Sequence, residues 1–347
     1  MLQIEYNIIL AFVTSFVITY LAIPKVISFA EKFRLSDIPG NRSSHKKSVP
    51  IFGGIAIFSG IIFSLLFWAN LDNIQFILVS FLIVVFFGVL DDLLSLSPYK
   101  KLLGQLIAIL IVIYLGEIQI DSMHGVLGIY KMPDFFATLF TVFVVVVITN
   151  GFNLIDGVDG LASGIGVISS FFFGVVLFFL NQYDMAMISF SLMGALLAFL
   201  RYNYHPAKIF MGDTGSLLVG MILSVLSISL IREGLVVDRF HLPNKGPLLA
   251  IAFLAIPLFD TLRVFIVRVV KGKHPLYPGR GHIHHALLDL GIGHKRTALL
   301  LYIYSVLLII CSYFLLELDT NIGILILAIV SYILLFIPFY LLSKRKK

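Results

Sequence analysis

The chain has 347 residues, of which 59% are hydrophobic and 13% charged, and its mean hydropathy is +1.03. Soluble domains carry about 25% charged residues, so this composition excludes an ordinary soluble fold and describes a polytopic membrane protein. The formal charge of +6 calls for no nucleic-acid partner, because the basic residues are sorted by membrane side.

A helix crosses the bilayer with about 20 apolar residues. On that ruler eleven segments qualify, at 5–25, 51–69, 74–90, 102–116, 134–150, 161–180, 185–201, 214–231, 247–267, 297–316 and 321–342. The first has no basic segment before it and no small-residue cleavage site, so it reads as a retained span. Of the 25 Lys and Arg residues, all but Lys131, Arg232, Arg239 and Lys245 fall in the connections of one side. That side is therefore predicted to be cytoplasmic, with the N-terminus outside and the C-terminus inside. The expectation is an all-α polytopic membrane protein, one integral membrane domain over residues 1–347. The lone Cys311 rules out an intramolecular disulfide and a cysteine-based zinc site.

Every chemically distinctive cluster falls on the predicted cytoplasmic side. The first connection holds His45-Lys46-Lys47, then Gly53-Gly54, a basic stretch that topology alone would also explain. Asp91-Asp92 close the third span; adjacent carboxylates at a membrane edge call for a divalent cation or a cationic substrate group. Lys101 and Gln105 follow four apart, on one helix face.

Residues 149–164 contain Asn150, Asn153, Asp156 and Asp159 among four glycines, between two apolar runs. Their spacing of three makes one polar stripe if a helix continues, although Asp159-Gly160 also reads as a turn or cap. Asn203 begins the next connection, which ends in Gly212-Asp213-Thr214-Gly215-Ser216 at the predicted start of a helix. Taken together, these aspartates suit Mg²⁺, which prefers oxygen ligands and joins carboxylates to phosphates. The longest connection carries a basic amphipathic stretch from Arg263 and then Arg280-Gly281-His282-Ile283-His284-His285. It offers either a metal site without a complete ligand set or a His and Arg clamp for a diphosphate. A carrier would set its polar groups near the bilayer midplane, in interrupted helices. Clusters gathered on one face favour a catalytic surface in a cytoplasmic cleft.

In order along the chain, these segments resemble the polyprenyl-phosphate N-acetylhexosamine-1-phosphate transferases. The likeness rests on the His45–Gly54 loop, Asp91-Asp92 with Lys101 and Gln105, Asn150-x-x-Asn153-x-x-Asp156-Gly-x-Asp159-Gly, Phe210-Met-Gly-Asp213-x-Gly-Ser, and His282-x-His284-His285. The His-Ile-His-His form is similar to the branch making lipid-linked GlcNAc, not the muramyl-pentapeptide branch. Gly279 and Tyr99 depart from that branch and leave room for another UDP-N-acetylamino sugar. The resemblance implies transfer of a sugar 1-phosphate from a UDP-amino sugar to undecaprenyl phosphate, with release of UMP, at the start of surface polysaccharide synthesis. It also implies a bacterial cytoplasmic (inner) membrane enzyme that uses Mg²⁺ or Mn²⁺ and is compatible with a homodimer.

Carried over by resemblance, Asp213 and Asp92 are the metal ligands. Asp91, Asp92, Asp156, Asp159 and Lys101 make up the catalytic set, while His45, Asn150, Asn153, Asn203, Arg280, His282, His284 and His285 bind substrate. The CDP-alcohol phosphotransferases share Asp-Gly motifs, but Asp159-Gly-Leu-Ala lacks the spaced aspartates that would follow. An ion-coupled carrier is the alternative outside enzymes.

Overall fold

The computed structural model describes residues 2–37, 49–233, 244–272 and 281–345. It is 81% helix. The helices are α1 (Leu2–Lys32), α2 (Gly53–Trp68), α3 (Leu71–Leu94), α4 (Pro98–Tyr114), α5 (Asp134–Ile155), α6 (Leu161–Phe179) and α7 (Tyr183–Asn203), then α8 (Gly212–Glu233), α9 (Gly246–Phe253), α10 (Ala255–Val270), α11 (Ile283–Asp289), α12 (His294–Phe314) and α13 (Thr320–Arg345). Among the described residues, one two-stranded sheet joins Ser36–Asp37 to Val49–Pro50, antiparallel, and an isolated bridge joins Ser122 to Lys131.

Eight of these helices are long and apolar enough to cross a membrane, or nine if the bent pair α9 and α10 counts as one span. The protein is thus a multi-pass membrane protein, and all eleven predicted segments are helical. Two differ from the expected length: α2 and α4 have 16 and 17 residues. A third, 247–267, is broken by an 81° bend between α9 and α10. The break lies just before Pro257, in the first turn of α10. That position suits a residue with no N–H to donate and a ring that clashes with a preceding turn.

The bundle is built around α8. Of its apolar stretch 94% is buried, against 28% in α1 and α13, and it packs against α2, α3, α5, α6, α7 and α9. A helix apolar on all sides is a buried one. Its serines remain compatible with this position because Ser224, Ser227 and Ser229 donate back to carbonyls four residues earlier, at 2.7–2.9 Å. Backbone polar groups in such surroundings must likewise be satisfied within the helix. Around the outside, Phe67, Phe86, Phe143, Ile333 and Phe336 are exposed, an apolar exterior suited to lipid.

Close approach is set by glycine. A Cβ on Gly54 would press into the backbone of Gly215, joining α2 to α8, and one on Gly88 would come within 2.5 Å of Thr214 Cα, joining α3 to α8. At Gly194 it would press on the Phe12 carbonyl and lie 3.2 Å from Phe16 N, joining α7 to α1. Small residues at crossings are how membrane helices gain packing contact. Gly194→Val, far from the polar end of the bundle, is therefore expected to cost about 1–3 kcal/mol by overpacking. Leu325→Ala on the exposed face of α13 should stay within about 0.5 kcal/mol. Thermal midpoints in detergent check both.

Candidate active site

The ends of α3, α5 and α7 and the starts of α4, α6, α8 and α12 meet at one end of the bundle. The start of α8 is its centre. Gly212 has φ +71°, and a Cβ there would lie 2.6 Å from Asp92 Oδ2, so the turn requires glycine. Asp92 Oδ1 accepts from the Asp213 N–H at 2.7 Å, and Oδ2 accepts from the Thr214 N–H at 3.1 Å and the Thr214 hydroxyl at 2.6 Å. A carboxylate from α3 thus caps a neighbouring helix. It satisfies two N–H groups that have no partner inside α8 and lies at the positive end of its dipole.

Asp213, set in place by that cap, accepts from the Asn153 amide through Oδ1. Its Oδ2 pairs with Lys101 Nζ at 2.8 Å, and its side chain keeps 31% exposure into the cleft. Lys101 also reaches Asp91 Oδ2 at 3.0 Å. The other Asp91 oxygen accepts from the Leu96 N–H at 2.7 Å, which fixes the turn from α3 into α4. Asn153 donates also to Ser216 Oγ at 2.8 Å. Asn150 donates to Gln105 Oε1 at 3.1 Å, so the polar faces expected on α4 and α5 do face each other.

Asp156 lies one residue beyond α5 with its side chain partly exposed. Burial, followed by the nearby charges of Asp213, Asp92 and Asp159, pushes its carboxyl well above the usual range. Neither a hydrogen bond nor an ion pair to its carboxylate exists among the described residues.

Asp159 is held differently. Its Oδ2 meets His205 Nδ1 at 2.6 Å and the Ala207 N–H at 3.2 Å, and its Oδ1 lies 3.5 Å from His294 Nδ1. Burial acts to raise its carboxyl, but the contacts from His294, His205 and Ala207 prevail and hold it at about 2. The two histidine rings stack at 5.1 Å, so this carboxylate ties together the α6 start, the loop after α7 and the start of α12. Asn203 is buried close by. Its Oδ1 accepts from Gly160 N and Ser163 Oγ while its Nδ2 donates to the Ile209 carbonyl. These bonds use the amide to position loops.

A third group surrounds Asp260 on α10, which is fully buried. Its Oδ2 is 2.9 Å from His282 Nδ1, and its Oδ1 accepts from Ile283 N at 3.0 Å and Arg263 Nη2 at 3.3 Å. His284 is buried, and burial followed by the proximity of His285 lowers its ring to about 3, so it is neutral. Its Nε2 lies 2.8 Å from where a Gly157 side chain would begin, which brings the histidine segment up to the Asp156–Asp159 turn. His285 adjoins His284 at 4.2 Å between ring centres.

His45 and Arg280 lie outside the described residues. Of the remaining sequence-derived residues, Asp91, Asp92, Lys101, Asn153 and Asp213 form one connected polar network, and Asn150 pairs separately with Gln105. His282, His284 and His285 sit beside it, across Gly157. Sequence reasoning missed Asp260, His205 and His294, and gave Thr214 and Ser216, although they stand in a motif it singled out, no role of their own. A signal existed for Asp260, an ionisable residue inside a predicted span, whereas His205 stands in a loop and His294 at the start of α12, with no spacing that links them.

Asp159 offers a pH test. A carboxyl depressed to about 2 stabilises the fold above its unfolded value and loses that contribution as pH falls through the folded one. Asp159→Asn is expected to cost about 2 kcal/mol at pH 5.5 and roughly half of that at pH 3. Denaturant unfolding of both proteins across that range measures the gap; one that does not shrink would contradict the assignment.

Residues 74–231 match glycosyl transferase family 4. The chain is 34% identical over 300 residues to a probable undecaprenyl-phosphate N-acetylglucosaminyl 1-phosphate transferase of Bacillus subtilis, covering 86% of this chain and 82% of that one. It is 32% identical over 320 residues to decaprenyl-phosphate N-acetylglucosaminephosphotransferase of Mycolicibacterium smegmatis, with 84% and 78% covered. To the undecaprenyl-phosphate alpha-N-acetylglucosaminyl 1-phosphate transferase of Escherichia coli K12 it is 28% identical over 288 residues, with 80% and 76% covered. Similarity of this degree over this much of the chain means that the protein belongs to glycosyl transferase family 4.

Proposed function

We propose that the protein transfers GlcNAc 1-phosphate from UDP-GlcNAc to undecaprenyl phosphate in a bacterial cytoplasmic membrane, as the first step of a surface polysaccharide. The observation that carries this reading is the convergence of Lys101, Asn153 and Asp213 on the capped start of α8. Charged phosphates need such a site, and the names of the relatives point to the same sugar phosphate and the same lipid phosphate acceptor. Sorting of Lys and Arg supports a cytoplasmic orientation for this end, where sugar nucleotides are found.

In the reaction, an oxygen of the lipid phosphate attacks the β-phosphorus of the sugar nucleotide. The bond from that phosphorus to the bridging oxygen breaks, and UMP leaves with the electron pair. A phosphate monoester has a second pKa of about 6, so the acceptor is already largely dianionic at neutral pH and Asp91 need not act as a base. Phosphoryl transfer asks mainly for positioning and charge neutralisation.

The residues fit Mg²⁺, or Mn²⁺ in its place. The donors are all oxygens, and Asp156 has an unpartnered carboxylate crowded by Asp213, Asp92 and Asp159. Asp156 and Asp213 would hold the ion, and Asp92, whose oxygens already accept three hydrogen bonds, would keep Asp213 in place. When bound, the ion neutralises charge on the diphosphate. Lys101 sits between Asp91 and Asp213, ready to shift its ammonium to an incoming phosphate. Asn153 orients Asp213, and Asp159 fixes the turn that carries Asp156.

The test is purified protein in detergent with UDP-GlcNAc, undecaprenyl phosphate and Mg²⁺, following nucleotide and lipid products together. UMP and a lipid diphosphate sugar are expected; UDP as the product would mean glycosyl transfer and overturn the proposal. Asp213→Asn and Asp156→Asn should each lower kcat by about 100-fold or more, the loss seen when an electrostatic stabiliser is removed. Chelation should abolish turnover and added Mg²⁺ restore it. An Asp213→Asn protein with full Mg²⁺-dependent turnover would show that the ion is held elsewhere.

A further inference from the structure

At the end of the bundle away from the carboxylates, residues 115–133 connect α4 to α5 and fold into a hairpin that the reaction does not use. Its root is fixed by burial of Ile118, Ile120 and Met132 and by the Ile120 N–H, which donates to Thr141 Oγ1 on α5 at 2.9 Å. Above the root, Ser122 faces Lys131 in an antiparallel bridge, and the N–H groups of Met123 and Gly125 donate to the Tyr130 and Ile129 carbonyls at 3.0 and 2.9 Å. Two other helices hold the hairpin from outside. Arg232 at the end of α8 donates to the Glu117 carbonyl at 2.5 Å. Asn321, in the first turn of α13, grips the tip with its whole amide: Oδ1 accepts from the Leu127 N–H at 2.7 Å, and Nδ2 donates to the Gly125 carbonyl at 3.2 Å.

This polar frame presents an apolar tip. Leu127 is 80% exposed and Tyr130 68%, with Ile129 exposed between them. The Tyr130 ring lies over Gly125, where a Cβ would come within 3.2 Å of it, so the ring has a set direction. Leu127 has φ 55° and ψ 23°, a left-handed conformation that is unfavourable for a residue with a Cβ and that Asn, Asp or Gly adopts more readily. A large apolar side chain held outward in that conformation gains no burial within the fold, so the surface that covers it lies outside. The neighbouring surfaces indicate which one. Phe135 and Phe136 open α5 directly after the hairpin, and Ile322 and Leu325 follow Asn321 on α13; all four are exposed on helices long and apolar enough to span the membrane. The tip therefore continues lipid-facing surface on both sides. Its chemistry matches the headgroup zone, where Tyr places its ring among lipid and its hydroxyl in water and where Lys, here the exposed Lys131, extends its ammonium to phosphate.

We propose that the 115–133 hairpin is an interfacial anchor: the side chains of Leu127, Ile129 and Tyr130 enter the lipid leaflet at the end of the bundle opposite the active site, with Lys131 at the lipid phosphates and Asn321 setting the angle of entry. The anchor is independent of the transfer reading, since none of these residues lies at the carboxylate end.

The experiment measures immersion of the tip directly. Full-length protein carrying Cys311→Ser and Leu127→Cys is spin-labelled in phospholipid nanodiscs, and power saturation compares collisions with oxygen, which concentrates in lipid, and with a water-soluble nickel chelate. A label at Leu325→Cys, on the lipid-facing side of α13, is the reference. The Leu127→Cys label should collide with oxygen in preference to nickel, as the reference does. Preference for nickel would put the tip in water and overturn the proposal. Low collision with both, together with line broadening that dilution with unlabelled protein removes, would mean that a second copy of the chain covers the tip, and would overturn it as well. Should Leu127→Cys fail to fold, Tyr130→Cys carries the same test with the same outcomes. Adding Asn321→Ala, which frees the tip from α13, should diminish the preference for oxygen and raise the mobility of the label; no change in either would remove Asn321 from the anchor.

Discussion

The capping of α8 by Asp92 is the contact on which the rest of the site depends. A helix buried on all sides has nowhere to send its first N–H groups except to protein, and the bilayer interior supplies no water to replace a missing acceptor. Asp92 meets that need from a neighbouring helix, through bonds to Asp213 N, Thr214 N and Thr214 Oγ1. In doing so it sets the direction in which the Asp213 side chain leaves the backbone. Lys101 and Asn153 then converge on that side chain from α4 and α5. One capping bond pattern therefore couples helix stability to site geometry.

That cap is possible only because the backbones come close. Gly54, Gly88, Gly212 and Gly215 crowd around the start of α8, each at a place where a Cβ would strike another chain segment. Membrane helices lack a hydrophobic force between them and gain contact by packing small residues. Here four such residues sit at the start of α8, so close backbone packing supports the carboxylates.

Charge balance divides the polar end into zones. Asp91 and Asp213 share Lys101, Asp159 is met by two histidines, and Asp260 has Arg263 and His282. Asp92 is held by N–H and hydroxyl donors, and of these carboxylates Asp156 alone has neither an ion pair nor a hydrogen bond among the described residues, while three other carboxylates act on it. The paired groups hold shape, and the unpaired one is where the proposed ion would bind. A buried carboxylate without compensation is costly, which is why the exception points to chemistry and the pairs to architecture.

Composition and apolar run lengths were enough to establish an all-helical membrane protein, because a bilayer admits few other backbones. The i,i+3 spacing of Asn150 and Asn153 and the alternation of motifs between connections were enough to gather most of the site at one end. Other features depend on residues distant in sequence. The shortness of α2 and α4 and the 81° bend between α9 and α10 are not registered by an apolar count. The division of roles among carboxylates could not be read either: Asp92 and Asp213 are equally acidic on paper, yet one is saturated by N–H donors and the other stays open to the cleft. Asp260 was hidden in an apolar run, and its partners arrive 22 and 23 residues later. Local spacing determines which side chains share a face, but only tertiary contact decides which are already paired, and in a low-dielectric interior pairing decides what remains available for a substrate.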